Sequence, residues 1–297
     1  MHWLLASIPL CAMLIAGIVW TSPGDVTGRK IQVQDPSPNS EASDGGRPKS
    51  TPLLIACAVS NRPLMEQLSV AFEKQSGWSV NLRLGPSHSL LSDLEFERDA
   101  DLFLPADDWY VDQADQRGWI QTRAAIAHMK PVLVTRKANI EAAKAAVLEN
   151  LIRGNLGLSL PSSDTAATGR LLSQRLRPRS LWTSLSSHAS IKRTSAGEVL
   201  SDVVSGAADV GIVLQPLVHA ANTKDFQVVE SKQLETAGGI LSVGILTKSR
   251  HPEIGDAFLQ FMQSDPAAKQ ALLQHGYLLL APETLAEIPS RTTAESF

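Results

Sequence analysis

The segment Leu53–Gly77 constrains the fold more than any other part of the sequence. It begins with the uncharged run Leu53–Val59, which is short and unbroken, as is typical of a strand buried on both faces. Ser60 ends the run, and apolar residues then recur at helical spacing as far as Gly77, a residue type that often ends helices. The segment therefore predicts a strand that turns directly into a helix, with Ser60 at the N-cap.

Such a strand-to-helix turn offers a place where an anion can bind. The first backbone N–H groups of a helix have no intrahelical partner, and the positive end of the helix dipole lies at the same point. An ordinary capped helix gives the same pattern, so this one segment leaves a structural role and a binding role both open.

The same order of strand, small polar loop and helix occurs at four places, which are Val59–Asn61, Pro86–His88, Ala167–Gly169 and Thr194–Ala196. The sustained alternation predicts an α/β fold with a mostly parallel sheet and helices on both faces. Ligands of such folds bind beyond the carboxyl ends of the strands, where these loops would supply many N–H and O–H donors with little formal charge. That combination suits a small oxyanion.

The composition sets aside several classes of function. The 297 residues carry a net charge of −3 without a basic block, so nucleic-acid binding is not expected. Neither Cys11 nor Cys57 lies in a zinc-binding pattern, and we expect no disulfide between them. The sequence has no G-x-S-x-G, H-E-x-x-H or Walker motif, so we do not expect an enzyme, although a Ser–His pair in the cleft would reopen that class.

The N-terminal end predicts a link to the membrane. Residues 4–20 are apolar apart from Ser7, and their number is near the lower limit for a membrane-spanning helix. No Lys or Arg precedes this segment and no clean cleavage site follows it, which favours an uncleaved anchor over a signal peptide. We therefore assign residues 1–22 to a signal or anchor, 23–51 to a disordered linker rich in Pro, Ser and Gly, and 283–297 to a polar tail.

The order of motifs resembles that of the periplasmic molybdate-binding proteins of ABC transporters, which have the type 2 periplasmic-binding fold. The resemblance covers residues 52–280. The matching stretches are Ala56–Ser60, Gly85–Leu90, Ala100–Asp107, Ala208–Val213 and His275–Tyr277.

The resemblance implies two lobes with a ligand cleft between them. Lobe 1 would comprise residues 52–134 and 240–282, and lobe 2 residues 135–239, each with a mostly parallel sheet flanked by helices. The hinge would run through the strands near Val132–Thr135 and Ile240–Leu246. Closure would then be a population shift driven by ligand contacts to both lobes.

The resemblance also implies a set of ligand-binding residues. Ser60 and Ser87 would donate from hydroxyl and amide groups in lobe 1, and Thr168, or Ala167 beside it, would donate a backbone N–H from lobe 2. Ala196 would do the same from the turn before Gly197. Molybdate or tungstate would be held through Ser60 and Ser87 without direct cation ligands, and no cofactor is implied.

Several residues depart from the pattern of the family. Leu214 stands where the family has a Tyr, so one donor is lost, and an oxyanion oxygen left unpaired costs about 1–3 kcal/mol. Asn61 and Arg62 replace the usual Leu-Thr, and His88 stands where Ser is common, so Asn61, Arg62 and His88 are auxiliary candidates. Solvated side chains are expected for Arg170 and Arg193.

Two hypotheses for the function follow from the resemblance. In the first, a monomeric periplasmic or extracytoplasmic protein, tethered to the inner membrane by residues 4–20, captures molybdate or tungstate for an ABC permease. In the second, a membrane-anchored binding or sensor domain of the same fold takes a different anion, such as an organic one, which Leu214, Arg62 and the anchor favour. An iron site is not expected, because such sites need clustered tyrosines and the chain has only Tyr110 and Tyr277.

Overall fold

The computed structural model describes residues 51–96, 99–136, 148–221 and 224–280. The predicted anchor, the polar tail and the linker up to residue 50 lie outside these ranges. Within them, no helix has both the length and the apolar character needed to cross a membrane.

Strands and helices alternate along the described chain. The strands are β1 (Leu53–Ala58), β2 (Val80–Gly85), β3 (Leu102–Leu104), β4 (Ile120–Met129), β5 (Pro131–Thr135), β6 (Leu158–Pro161), β7 (Ile191–Arg193), β8 (Val210–Leu214), β9 (Gln227–Val229), β10 (Gly239–Leu246) and β11 (Leu278–Leu279). The helices are α1 (Arg62–Ser76), α2 (Ser87–Phe96), α3 (Asp108–Gln116), α4 (Leu148–Arg153), α5 (Ala167–Arg175), α6 (Arg179–His188), α7 (Ala196–Ser205), α8 (Gln215–Ala220), α9 (Lys232–Glu235), α10 (Pro252–Ser264) and α11 (Pro266–Gln274).

The strands form two sheets. Within the described ranges, sheet 1 has six strands in the order β11-β4-β10-β3-β1-β2, and sheet 2 has five in the order β7-β6-β8-β5-β9. In sheet 1, β1 is parallel to β2 and β3, whereas β10 is antiparallel to β3 and β4. In sheet 2, β6 is parallel to β7 and β8, whereas β5 is antiparallel to β8 and β9. The predicted α/β fold with two flanked sheets is confirmed, but each sheet is mixed where mostly parallel sheets were expected.

The chain passes between the sheets at two short connections. One is Lys130, between β4 of sheet 1 and β5 of sheet 2. The other is Thr236–Gly238, between α9 and β10 of sheet 1. The first connection lies before Val132–Thr135, so β5 belongs to sheet 2, whereas the expected boundary between the lobes lay after residue 134.

Each sheet buries both of its faces, because successive side chains of a strand point to opposite sides. In β1, Ile55 and Cys57 join one apolar cluster with α1 and α10, while Ala56 joins another with α2 and α3. In β5, Leu133 and Val134 divide in the same way between the two clusters of sheet 2. Burial on both faces explains why the sequence of β1 is an unbroken apolar run, as predicted. The Cys57 thiol is free, and burial raises its pKa to about 12.

The turn after β1 differs in detail from the prediction. A single 3₁₀ turn, Val59–Asn61, separates the strand from α1, so the N-cap is Asn61 and not Ser60, and no side chain caps the helix. Pro63 fits the first turn, where a missing N–H is tolerated. Gly77 ends the helix as expected, with a φ of 77° that favours glycine.

Candidate functional site

A pocket lies at the carboxyl ends of the parallel strands, between the loops of sheet 1 and those of sheet 2. Its volume is about 600 Å³. Loops from both sheets line it, including Val59–Asn61, Gly85–His88, Thr165–Thr168, Thr194–Gly197 and Leu214–Leu217 without Gln215. The four strand–loop–helix turns identified in the sequence therefore converge on one place.

Ser87 is well arranged to donate a hydrogen bond into this pocket. It begins α2 and is 8% exposed. Its Oγ accepts the Ala106 N–H at 2.9 Å, so the hydroxyl proton remains available to a ligand. Ser60 is exposed on the neighbouring turn, and its Oγ lies 3.5 Å from the Asn61 Oδ1, which leaves the Ser60 hydroxyl open to a better partner.

Asn61 lines the pocket but its side chain holds the protein together. It is 2% exposed, donates from Nδ2 to the Pro105 carbonyl at 2.9 Å, and accepts the Tyr277 O–H on Oδ1 at 2.9 Å. These bonds tie the β1–α1 turn to two distant segments. Burial raises the pKa of the Tyr277 phenol, which disfavours the phenolate form that would coordinate iron.

The α5 turn supplies donors from sheet 2. Ala167 and Thr168 are in the first turn of α5, where backbone N–H groups lack intrahelical acceptors, and no side chain caps this helix. A Cβ added to Gly169 would lie 2.2 Å from the Ser162 carbonyl oxygen, so only glycine lets the helix start pack this closely on the loop before it.

The turn before α7 supplies the fourth set of donors. Ser195-Ala-Gly-Glu198 has the sequence pattern of a capping box, and the box is present, since Ser195 Oγ accepts the Glu198 N–H at 3.3 Å and Glu198 Oε2 accepts the Ser195 N–H at 2.9 Å. The Ser195 side chain is therefore engaged within the turn. The Ala196 N–H, in the first turn of the helix, is left for a ligand.

The remaining predicted residues divide into two groups. Leu214 lines the pocket at the end of β8 and also packs against the core of sheet 1, but it offers no donor. His88 lines the pocket and is exposed. Arg62 does not line it, because its Nε pairs with Glu66 Oε1 at 2.7 Å along the exposed face of α1.

A buried ion pair joins the two halves of the site, and the sequence analysis missed it. Arg170 of α5 donates to the carboxylate of Asp107 at 2.5 Å, and its guanidinium lies 4.6 Å above the Trp109 ring and 4.8 Å from the Tyr110 ring. Arg170 is 9% exposed and Asp107 is fully buried, so the expectation of a solvated Arg170 is wrong. Burial raises the pKa of Asp107, while the positive charge of Arg170 acts in the opposite direction.

Two further ion pairs support the loops around the pocket. Arg175, also on α5, donates to Asp108 at 2.8 Å and to the Gly238 carbonyl at 2.7 Å. Arg193, at the end of β7, donates to both oxygens of Asp202, at 2.8 and 2.6 Å, so it too is not simply solvated. One sequence signal could have pointed to the pair of Arg170 with Asp107. It is Asp107-Asp108, two carboxylates that directly follow a buried strand.

The pocket is nearly free of formal charge. Among the described residues that line it there is no Lys, Arg, Asp or Glu, and His88 alone could carry a positive charge. No group of three or more His, Cys, Asp or Glu residues suited to a metal ion occurs in the described ranges. The site can thus hold an anion through hydroxyl and backbone N–H groups, as neutral anion sites do.

Comparison with known proteins identifies relatives of this chain. The family model described as "Bacterial extracellular solute-binding protein" matches residues 53–278. No curated protein sequence gives a significant match.

Three similar solved structures have different ligands in their descriptions. The periplasmic molybdate-binding protein of Azotobacter vinelandii is 22% identical, with a TM-score of 0.59 over 77% of this chain and 100% of its own. The iron-bound HitA of Pseudomonas aeruginosa is 14% identical, with a TM-score of 0.65 over 83% and 91%. The sulfate-binding SubI of Mycobacterium tuberculosis is 18% identical, with a TM-score of 0.64 over 80% and 90%. At these identities the likeness establishes the fold and leaves the ligand open.

Proposed function

This chain belongs to the family of bacterial extracellular solute-binding proteins, and from that premise we propose that it captures a small oxyanion and delivers it to an ABC permease. The convergence of four polar turns, two from each sheet, on one pocket without formal charge carries the proposal. Neutral N–H and O–H donors hold an oxyanion without the cost of burying a compensating cation.

Molybdate and tungstate are the first candidates for the ligand. Ser60 and Ser87 donate from one sheet, and the backbone N–H groups of Thr168 or Ala167 and of Ala196 donate from the other. The hinge lies at Lys130 and Thr236–Gly238, where the chain passes between sheet 1 and sheet 2, next to the strands Val132–Thr135 and Ile240–Leu246 that the sequence suggested. The protein works outside the cytoplasm, in the periplasm, as a monomer tethered by residues 4–20, and it binds its ligand without catalysing a reaction.

A second candidate is a membrane-anchored binding or sensor domain for an organic anion. The apolar Leu214 at the pocket wall favours it, because this side chain offers no hydrogen bond to a fourth oxyanion oxygen. Iron is not favoured, since the Tyr277 phenol is buried and bonded to Asn61.

Thermal unfolding of the full-length protein tests the proposal. The panel contains molybdate, tungstate, sulfate and phosphate, with an anion-free control. A ligand at 100 times its dissociation constant stabilises the fold by about 2.7 kcal/mol, which raises the Tm visibly. We expect a shift with molybdate and tungstate and little with sulfate. No shift with any of these anions contradicts capture of a simple oxyanion.

A further inference from the structure

The pocket is larger than a simple oxyanion needs. Its volume is about 600 Å³. A cavity needs about 10–15 Å³ of this kind of volume to hold one water molecule, so the four oxygens of a tetrahedral oxyanion need on the order of 60 Å³. Pockets of about 300–1,000 Å³ are typical of organic ligands. Most of this space is therefore available to something other than four oxygens.

The order of the strands places the polar loops side by side. In sheet 1, β1 pairs with β2, so the turns that carry Ser60 and Ser87 are neighbours. In sheet 2, β6 pairs with β7, so the turn at Ala167 adjoins the turn at Ala196. These four turns form what we call the polar end of the pocket.

Apolar residues gather on another side, where the chain passes between the sheets. Strand β6 lies between β7 and β8 in sheet 2. The last residue of β8, Leu214, pairs with Pro131 of β5. Leu217 follows on α8, and Met129 precedes the connection at Lys130. The lining residues Leu214, Leu217 and Met129 form what we call the apolar wall. Since β8 also pairs with β6, the apolar wall adjoins the polar end on the side of Ala167.

We propose that the pocket takes a tetrahedral oxyanion that carries one apolar substituent, as an organic phosphonate or sulfonate does. This inference rests on the proposed function, since the polar end binds the oxyanion in both. Replacing one oxygen by carbon leaves three oxygens to be bonded, which matches a donor set that has no donor at Leu214. The substituent then lies against the apolar wall.

The exposed side chain of Val59 supports this assignment. Val59 is 54% exposed, although it follows a buried strand and lines the pocket next to Ser60. A ligand made only of oxygens would not bury the apolar surface of a side chain beside an anion donor. The Val59 side chain gains burial from the first carbons of an alkyl or aryl substituent, which lie next to the oxyanion at the polar end, while the rest of the substituent lies against the apolar wall.

Calorimetric titration of the full-length protein tests the proposal. One series is methyl-, propyl- and pentylphosphonate, a parallel series is the corresponding sulfonates, and molybdate and phosphate are the unsubstituted references. Each buried methylene strengthens binding about fourfold. We expect the affinity to rise with chain length in at least one series and to exceed that of the references, and comparing the two series identifies the headgroup.

A matched pair of variants locates the substituent. Leu214→Tyr fills the apolar wall with a bulkier ring, and we expect it to weaken pentyl-ligand binding at least tenfold more than it changes molybdate binding. Leu273→Tyr is the control, because Leu273 is 51% exposed on α11 and does not line the pocket. We expect this control to bind like the wild type.

The outcomes separate the inference from the proposed function. If molybdate binds and longer chains bring no gain in either series, the inference is overturned while oxyanion capture stands. Equal weakening by Leu214→Tyr for molybdate and for the pentyl ligand also overturns it. If none of the anions binds, the proposed function fails as well.

Discussion

The guanidinium of Arg170 and the carboxylate of Asp107 form an ion pair, at 2.5 Å, that connects helix α5 beside sheet 2 to the start of α3 beside sheet 1. Thr168, two residues before Arg170, lines the pocket, and so does Ala106, the neighbour of Asp107 that donates to Ser87. The ion pair therefore connects two segments that carry proposed donors, one beside each sheet.

Removal of the positive charge of Arg170 should lower the stability of the fold. Arg170→Met leaves the Asp107 carboxylate buried without a counter-charge, which costs about 3–5 kcal/mol in the free energy of unfolding. Adding Asp107→Asn removes the unpaired charge and keeps an acceptor for the Trp109 N–H, so the double variant should recover part of the loss. Urea unfolding measures four proteins, which are the wild type, Arg170→Met, Asp107→Asn and the double variant. A double variant whose loss equals the sum of the two single losses would show that the pair is not coupled.

Ser87 should contribute to ligand affinity through its hydroxyl proton. Ser87→Ala removes one hydrogen bond to a charged ligand, and we expect about tenfold weaker binding of the anion that gives the largest thermal shift. The lost acceptor for the Ala106 N–H should also cost about 1 kcal/mol of stability.

Ser92→Ala is the matched control for this prediction, because Ser92 lies on the same helix and its Oγ donates to the His88 carbonyl at the surface. Calorimetric titration compares the two variants. Equal dissociation constants for Ser87→Ala and the wild type would exclude the proposed contact.

Tyr277 should stabilise the turn that carries Ser60. Tyr277→Phe removes the O–H donor and leaves the buried Asn61 Oδ1 short of a partner, so we expect a loss of about 1–3 kcal/mol in the free energy of unfolding. Chemical denaturation measures the loss. A change below about 0.5 kcal/mol would mean that this bond adds little to the fold.

Asp202 should make the stability depend on pH in the acid range. Hydrogen bonding from Arg193, and further from Ser159, holds the pKa of the Asp202 carboxyl below its usual range. Because the folded pKa is below the unfolded one, the contribution is complete above pH of about 4 and is lost as the pH falls through the folded pKa.

Asp202→Asn tests this dependence. We expect its Tm to lie about 2–4 °C below that of the wild type at pH 7, and the gap to narrow between pH 4 and pH 2. Asp164→Asn is the comparison, since Asp164 is an exposed loop residue. A gap for Asp202→Asn that stays constant with pH would argue against a lowered pKa.

Local signals in the sequence predicted much of the fold. The β1 run, the helix end at Gly77 and the capping box of Ser195 with Glu198 depend on residues near each other in the chain, and the structure contains all three. Strand β4 was not predicted, because Ile120–Met129 is rich in alanine and has little of the alternation that marks strands. Its pairing with β10 and β11, more than a hundred residues later, holds it in the sheet.

In the site, too, features with a local sequence pattern were predicted, and features that depend on distant residues were not. A polar loop after a buried strand is visible in the sequence, so the residues of such loops could be predicted. The predicted residues that line the pocket are Ser60, Ser87, Ala167, Thr168, Ala196 and Leu214. The pair of Arg170 with Asp107 joins residues 63 positions apart and has no local pattern. The apolar wall likewise depends on strand order, which the sequence alone did not provide.

The most direct test of the central claim is the anomalous difference map of crystals of this protein grown with tungstate. An oxyanion held by neutral donors from both sheets predicts one strong peak in the pocket, with the anion's oxygens within hydrogen-bonding distance of the Ser87 Oγ and of the backbone nitrogen of Thr168 or Ala167. A tungsten peak found only on the surface, beside lysine or arginine side chains, would contradict the account.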